Sequence, residues 1–243
     1  YISVCRQMGI QILPPDINHG MYGFSVDNGA IRYALSAIKS IGRPVIEGIV
    51  REREEHGEYT SLKTFVERNI DQINKRVVEN LIKAGALDCL EGNRKQKMTI
   101  YTQIIDSINQ DKKHTMAGQL SLFDIASEED KKEFEIRMPQ VEEYPKEIIL
   151  TFEKEVLGIY LSGHPLERYR NMMEKMISAK TSDFQPDDET GIPEVYDNQK
   201  VIVGGMITDK TIKYTKNNKV MAFLTVEDLV GTVEVVVFPR DYE

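Results

Sequence analysis

Lys39, Ser40, Gly42 and Arg43 crowd one tight turn, and Lys83 and Gly85 mark a second with the same grammar. Each reads as an apolar helix, a glycine break and a second helix. The first amides of a helix that follows such a break have no acceptor within it, and the helix dipole adds partial positive charge there. Groups of this kind hold an anion. Lys75, Arg76 and Arg94 lie near the second turn in sequence. Cations around open amides suit a row of phosphates, gripped without reading bases. A plain helical hairpin with surface lysines is the competing reading.

Gln119-Leu120-Ser121-Leu122-Phe123-Asp124 is an apolar hook inside a charged connector. Asp111-Lys112-Lys113-His114 precedes it and Glu128-Glu129-Asp130-Lys131-Lys132 follows. Two leucines and a phenylalanine exposed together suit a pocket on another protein. Gln119 fixes the register through its amide, and Leu122 and Phe123 supply the anchors. A stub of strand or helix packing on its own domain is the alternative.

A third group is Lys210, Lys213, Tyr214, Lys216 and Lys219 around a loop between strands, with Phe223 on the next strand. Basic residues interleaved with aromatics suit single-stranded nucleic acid, whose bases stack while its backbone is neutralised. The alternative makes Phe223 core and the lysines guards of a sheet edge.

No residues are arranged for covalent catalysis. No Ser/His/Asp constellation or glycine-rich phosphate loop occurs, and Asp187-Asp188 sits in a polar loop. His19, His56, His114 and His164 are scattered, and Cys5 and Cys89 form no ligand motif, so no metal site is expected. Two buried thiols in a reducing cytosol are expected rather than a disulfide. No apolar run approaches a membrane span, and no signal peptide is seen.

The elements that must position these groups follow from periodicity. Tyr22 to Val26 alternates like a strand, and Asp27-Asn28-Gly29 turns it toward Ile31. Leu35, Ile38 and Ile41 suggest a helix face, and Pro44 suits the first turn of the next helix. Thr60-Ser61 and Asn74 are helix caps. Val77, Val78, Leu81 and Ile82 share one helix face, and Ile100, Ile104 and Ile108 line another. Near the end the period becomes two, with strands expected over 201–207, 220–226 and 232–238 and a turn over 216–219. The 243 residues carry a net charge of −8, unevenly placed. Residues 1–110 hold 14 basic and 13 acidic side chains, residues 111–198 hold 11 and 20, and residues 199–243 hold 6 and 6. The acidity belongs to the middle, and the flanks are free to carry basic faces.

Several collinear words carry a resemblance. They are Cys5-Arg6-Gln7-Met8-Gly9-Ile10, Leu13-Pro14-Pro15-Asp16-Ile17-Asn18 and Ala37-Ile38-Lys39-Ser40-Ile41-Gly42. Asn74-Lys75-Arg76-Val77, Leu81-Ile82-Lys83-Ala84-Gly85-Ala86-Leu87-Asp88 and the run from Glu155 to Leu166 continue them. Over essentially its whole length the chain resembles the alpha (polymerase) subunit family of bacterial DNA polymerase III.

The resemblance implies a mainly α helix-hairpin-helix domain followed by a partial antiparallel OB-fold barrel, α+β overall. Residues 1–30 would end the fingers region, and 31–110 would form a tandem helix-hairpin-helix domain on duplex DNA. Residues 111–145 would be a connector whose Gln119, Leu120, Ser121, Leu122 and Phe123 bind the sliding clamp. Residues 146–198 would be a helical linker, and 199–243 the first strands of an OB-fold for single-stranded DNA. The parent would be a cytoplasmic, Mg2+-dependent DNA-directed DNA polymerase, a nucleotidyltransferase working with other replisome subunits. Its catalytic carboxylates are expected outside this chain, which reads as an internal segment. A non-catalytic DNA-binding adaptor that recruits the clamp is the alternative. One departure stands out: the family's turn reads Gly-hydrophobic-Gly, whereas here Ser40 takes the first place and would be strained at positive φ.

Overall fold

The expected Asn28-Gly29 turn forms, closing a small sheet of β1 (Ile12–Leu13), β2 (Ser25–Asp27) and β3 (Ala30–Arg32). Strand β3 is central, parallel to β1 and antiparallel to β2. Asn28 and Gly29 both take positive φ, 49° and 82°, which matches the twist of a two-residue hairpin. This is a computed structural model describing residues 5, 8–116, 136–187 and 191–242. The hook residues Gln119, Leu120, Ser121, Leu122 and Phe123 lie outside the described residues. The chain divides into two compact units, Tyr1–Ser162 and Gly163–Glu243.

In the first unit Leu35, Ile38 and Ile41 are all buried, but not on one helix. A single 3-10 turn (Leu35–Ala37) ends at an extended Ile38. A spacing of three fits such a turn as well as an α-helix, so the pattern fixes burial and not the element.

Helix α1 (Arg43–His56) follows, with Pro44 in its first turn and Gly57 at φ 82° beyond its end. Its Gly48 faces Gln72, and a Cβ there would lie 1.8 Å from Gln72 Oε1. Helix α2 (Leu62–Asn69) is capped by Ser61, whose Oγ accepts from Thr64 N. Helix α3 (Lys75–Ala84) is capped by Asn74 through Val77 N, and it ends on Gly85 at φ 79°. It buries Val77, Val78, Leu81 and Ile82. Full burial of side chains this size contributes about 1.5–3 kcal/mol each.

Helix α4 (Arg94–Met116) lays Ile100 and Ile104 into the same core, with Ile108 packed at its margin. Helix α5 (Lys146–Leu157) packs on α3 and adds Val156 and Leu157. The division at 162/163 therefore falls inside the stretch expected as a linker, and α5 is built into the helical unit.

The second unit carries α6 (Arg170–Met176) and a meander of β4 (Met206–Tyr214), β5 (Val220–Glu227) and β6 (Thr232–Val237), ending in α7 (Pro239–Tyr242). Both strand pairs are antiparallel, and the sheet is open rather than closed, as expected of part of a barrel. The first strand is displaced from its expected place. Residues 201–205 are not strand; Ile202 is bonded through its N–H to Ser178 Oγ and through its carbonyl to Ser178 N. The true strand reaches to Tyr214, through a polar run whose side chains are all exposed.

Asp228, at the turn between β5 and β6, ties the sheet to the start of a 3-10 turn (Thr181–Phe184). Its carboxylate accepts from Thr181 Oγ1 (2.6 Å), Thr181 N (2.8 Å), Val230 N (2.8 Å) and Gly231 N (2.9 Å). Burial alone would raise its pKa, but these bonds outweigh that and hold the carboxyl below its ordinary range.

Candidate nucleic-acid interface

Three constraints shape the turn from Lys39 to Arg43. Ser40 takes φ 64°, in the left-handed region where a Cβ is crowded. Gly42 is extended, with φ −76° and ψ 153°, and a Cβ there would meet only Pro44 Cδ at 3.7 Å. The unusual backbone of this turn therefore falls on the serine and not on the glycine. Ile41 is buried and anchors the loop in the core.

The near side of the turn is pinned twice through one residue. Lys39 N donates to Val156 O (2.8 Å), and Lys39 O accepts from Asn80 Nδ2 (2.7 Å). Fixed in this way, Lys39, Ser40, Gly42 and Arg43 all stay at the surface. Helix α1 then begins with no side-chain cap and no acidic residue in its first turn. Pro44 has no N–H, and Val45 N and Ile46 N both donate to Gly42 O (3.1 and 3.3 Å), so the helix start offers the Arg43 N–H and the positive end of the dipole.

Arg43 Nε donates to Glu47 Oε1 (2.7 Å), and its guanidinium lies 4.8 Å from the Tyr22 ring centroid. The bond to Glu47 is the main reason its pKa is raised further. Arg76 is exposed and stands one turn before Asn80, on the same face of α3 as the contact to Lys39. Lys75 is exposed and pairs with Asp106 (2.8 Å).

The second turn departs from expectation. Gly85 is buried, and no helix begins until Arg94, nine residues on. The start of α4 is already filled: Glu143 accepts from Arg94 N (2.8 Å) and Lys95 N (3.1 Å). Burial would raise the Glu143 carboxyl, but the amides of Arg94, Tyr144 and Lys95 hold it low.

Arg94 is itself a structural residue. It is buried, pairs with Asp88 (2.7 Å), lies 3.7 Å from Glu153 and donates to Lys83 O. Lys83 bonds Glu79 (3.0 Å) and Glu155 (2.8 Å). Burial alone would lower its ammonium, yet the two carboxylates hold it above its ordinary value. Gly85 and Arg94, expected on the phosphate face, thus belong to the interior, and Lys83 is committed to carboxylates. Sequence spacing could not reveal this, because Glu143 arrives from 49 positions away.

On the sheet, the register places Phe223 opposite Thr211 and Tyr214 opposite Val220. Lys213 and Phe223 therefore share one face, with Lys213 Nζ 4.6 Å from the Phe223 ring centroid. Lys210 and Tyr214 share the other, and Lys210 Nζ lies 5.4 Å from the Tyr242 ring centroid. Lys216 and Lys219 lie at the turn. The six residues expected to form one single-strand surface are split between two faces and a tip.

Among the described residues one group, Glu52, Glu55 and His56, brings possible ligand atoms within 4.8 Å of one another. It lies near the end of α1, where Glu52 already accepts from Arg68 (3.0 Å), and reads as an ion-pair cluster. No helix among the described residues is long and apolar enough to cross a membrane.

The pinned turn and the uncapped helix after it fall within a segment similar to a helix-hairpin-helix motif. The family model described as a helix-hairpin-helix motif matches residues 9–97. Along its whole length the chain is homologous to one segment of the bacterial DNA polymerase III alpha subunit. It is 34% identical to that subunit from Borreliella burgdorferi over 100% of this chain and 21% of the relative. Identity to the Vibrio cholerae subunit is 34% over 98% of the chain, and to the Thermus aquaticus subunit 35% over 100%. The chain thus spans about one fifth of the length of these relatives.

Proposed function

We propose that this chain is the gripping and anchoring portion of a bacterial replicative DNA polymerase. Its helical unit holds duplex DNA by the backbone while template-directed synthesis takes place elsewhere in the parent protein. The supporting observation is the Lys39–Arg43 turn, fixed to α3 and α5 through Lys39 yet exposed at Lys39, Ser40, Gly42 and Arg43. Arg76, one turn along α3 from that anchor, extends the same basic face. The Mg2+ of the polymerase reaction is assigned to carboxylates outside this chain, within a cytoplasmic replisome.

The anchoring half of the proposal rests on Gln119, Leu120, Ser121, Leu122 and Phe123 binding a sliding clamp. An attached enzyme sees a high effective clamp concentration, so modest hook affinity suffices. Leu122→Ala with Phe123→Ala should abolish clamp binding in a pull-down while leaving duplex binding intact. Unchanged clamp affinity would remove this half of the reading. Single-stranded DNA is assigned to the Lys213–Phe223 face, where a cation and a ring lie together. The gripping half is tested by duplex titration of Lys39 and Arg43 variants.

A further inference from the structure

We propose that Glu47 is an internal stand-in for a DNA phosphate on Arg43, and so limits how tightly the Lys39–Arg43 turn holds duplex. The inference rests on the reading that this turn grips phosphate.

Glu47 Oε1 accepts from Arg43 Nε at 2.7 Å, with the two side chains 53% and 67% exposed. The Tyr22 ring lies 4.8 Å from the same guanidinium, and the Tyr22 carbonyl is bonded to Ser36 N (3.1 Å). Arg43 is therefore held beside the helix start by a ring whose own backbone is fixed.

The pair is poorly placed as a stabilising contact. Arg43 is the first residue of α1, where the dipole disfavours a cation, and arginine four residues before glutamate is the less favourable order. Exposed pairs of this kind are weak and screened by salt. A phosphate in the carboxylate's place would meet the guanidinium fork at the positive end of the α1 dipole. Duplex must displace Glu47 to reach Arg43, whereas Lys39 is exposed and has no side-chain partner among the described residues to give up. Glu143 at α4 differs, because its carboxylate is bonded to three backbone amides and the segment carrying it is tied to Asn93 and Gln96 through Val141 O and Pro139 O.

The test is a double-mutant cycle on the full 243-residue chain, titrating a short duplex at low salt. Glu47→Gln should tighten binding about two- to fivefold, the range given by losing an exposed pair. The gain should largely disappear when Glu47→Gln is made in the Arg43→Ala chain. An equal gain in both backgrounds, or none in either, overturns the inference while leaving the phosphate reading in place. If Arg43→Ala by itself leaves duplex affinity unchanged, the phosphate reading fails and the inference falls with it.

Discussion

Asn80 donates its side-chain amide to the carbonyl of Lys39 across 2.7 Å, joining α3 to the turn that precedes α1. The two residues are 41 positions apart, and the bond fixes the backbone next to the left-handed Ser40. Asn80 is 8% exposed, so its loss leaves a carbonyl short of a partner in a largely dry place. Asn80→Leu should cost about 1–3 kcal/mol in denaturant unfolding. It should also weaken duplex binding under conditions where the variant is fully folded, because the turn is no longer held.

Ser40 offers the opposite experiment. At φ 64° a Cβ costs about 1–2 kcal/mol relative to the right-handed region, and glycine avoids most of this. Glycine gives back part of the gain through greater freedom in the unfolded chain. Ser40→Gly should stabilise the helical unit by about 0.5–1 kcal/mol, and Ser40→Val should destabilise it. Thermal unfolding of the two variants decides the matter; a stabilised valine variant would contradict the strained turn.

Asp228 predicts a pH dependence for the second unit. Its carboxyl is held below the ordinary range when folded, so near the unfolded value, about pH 4, the unfolded chain binds more protons than the folded one. The stability it contributes is present above that pH and is lost as pH falls through the folded value. Asp228→Asn should cost about 1–3 kcal/mol at neutral pH and flatten the loss of stability between about pH 5 and 3. Circular dichroism of the strand signal across that range measures both. An unchanged acid profile in the variant would show that the Thr181 contacts do not carry the effect.

Much of the fold is legible where a local interaction decides the outcome. Ser61 and Asn74 cap their helices through the third residue on, Pro44 opens α1, and Asn28-Gly29 closes the hairpin, each within a few residues. Legibility ends where a distant group decides. Glu143 fills the start of α4 from another part of the chain, and Asp88 with Glu153 draws Arg94 inside. Strand β4 escapes a periodicity reading because 208–214 is exposed on both faces of an open sheet, leaving no alternation to see. The serine at the turn stands out as a departure from the family pattern, and the positive φ expected to strain it is what the structure shows.

The salt dependence of duplex binding tests the central claim most directly. Each phosphate left without its cation by Lys39→Ala and Arg43→Ala removes about one unit from the slope of log affinity against log salt. The account predicts a double variant that folds normally, binds short duplex more weakly and has a slope lower by about two. A slope equal to that of the unaltered chain would mean that this turn does not touch the DNA backbone.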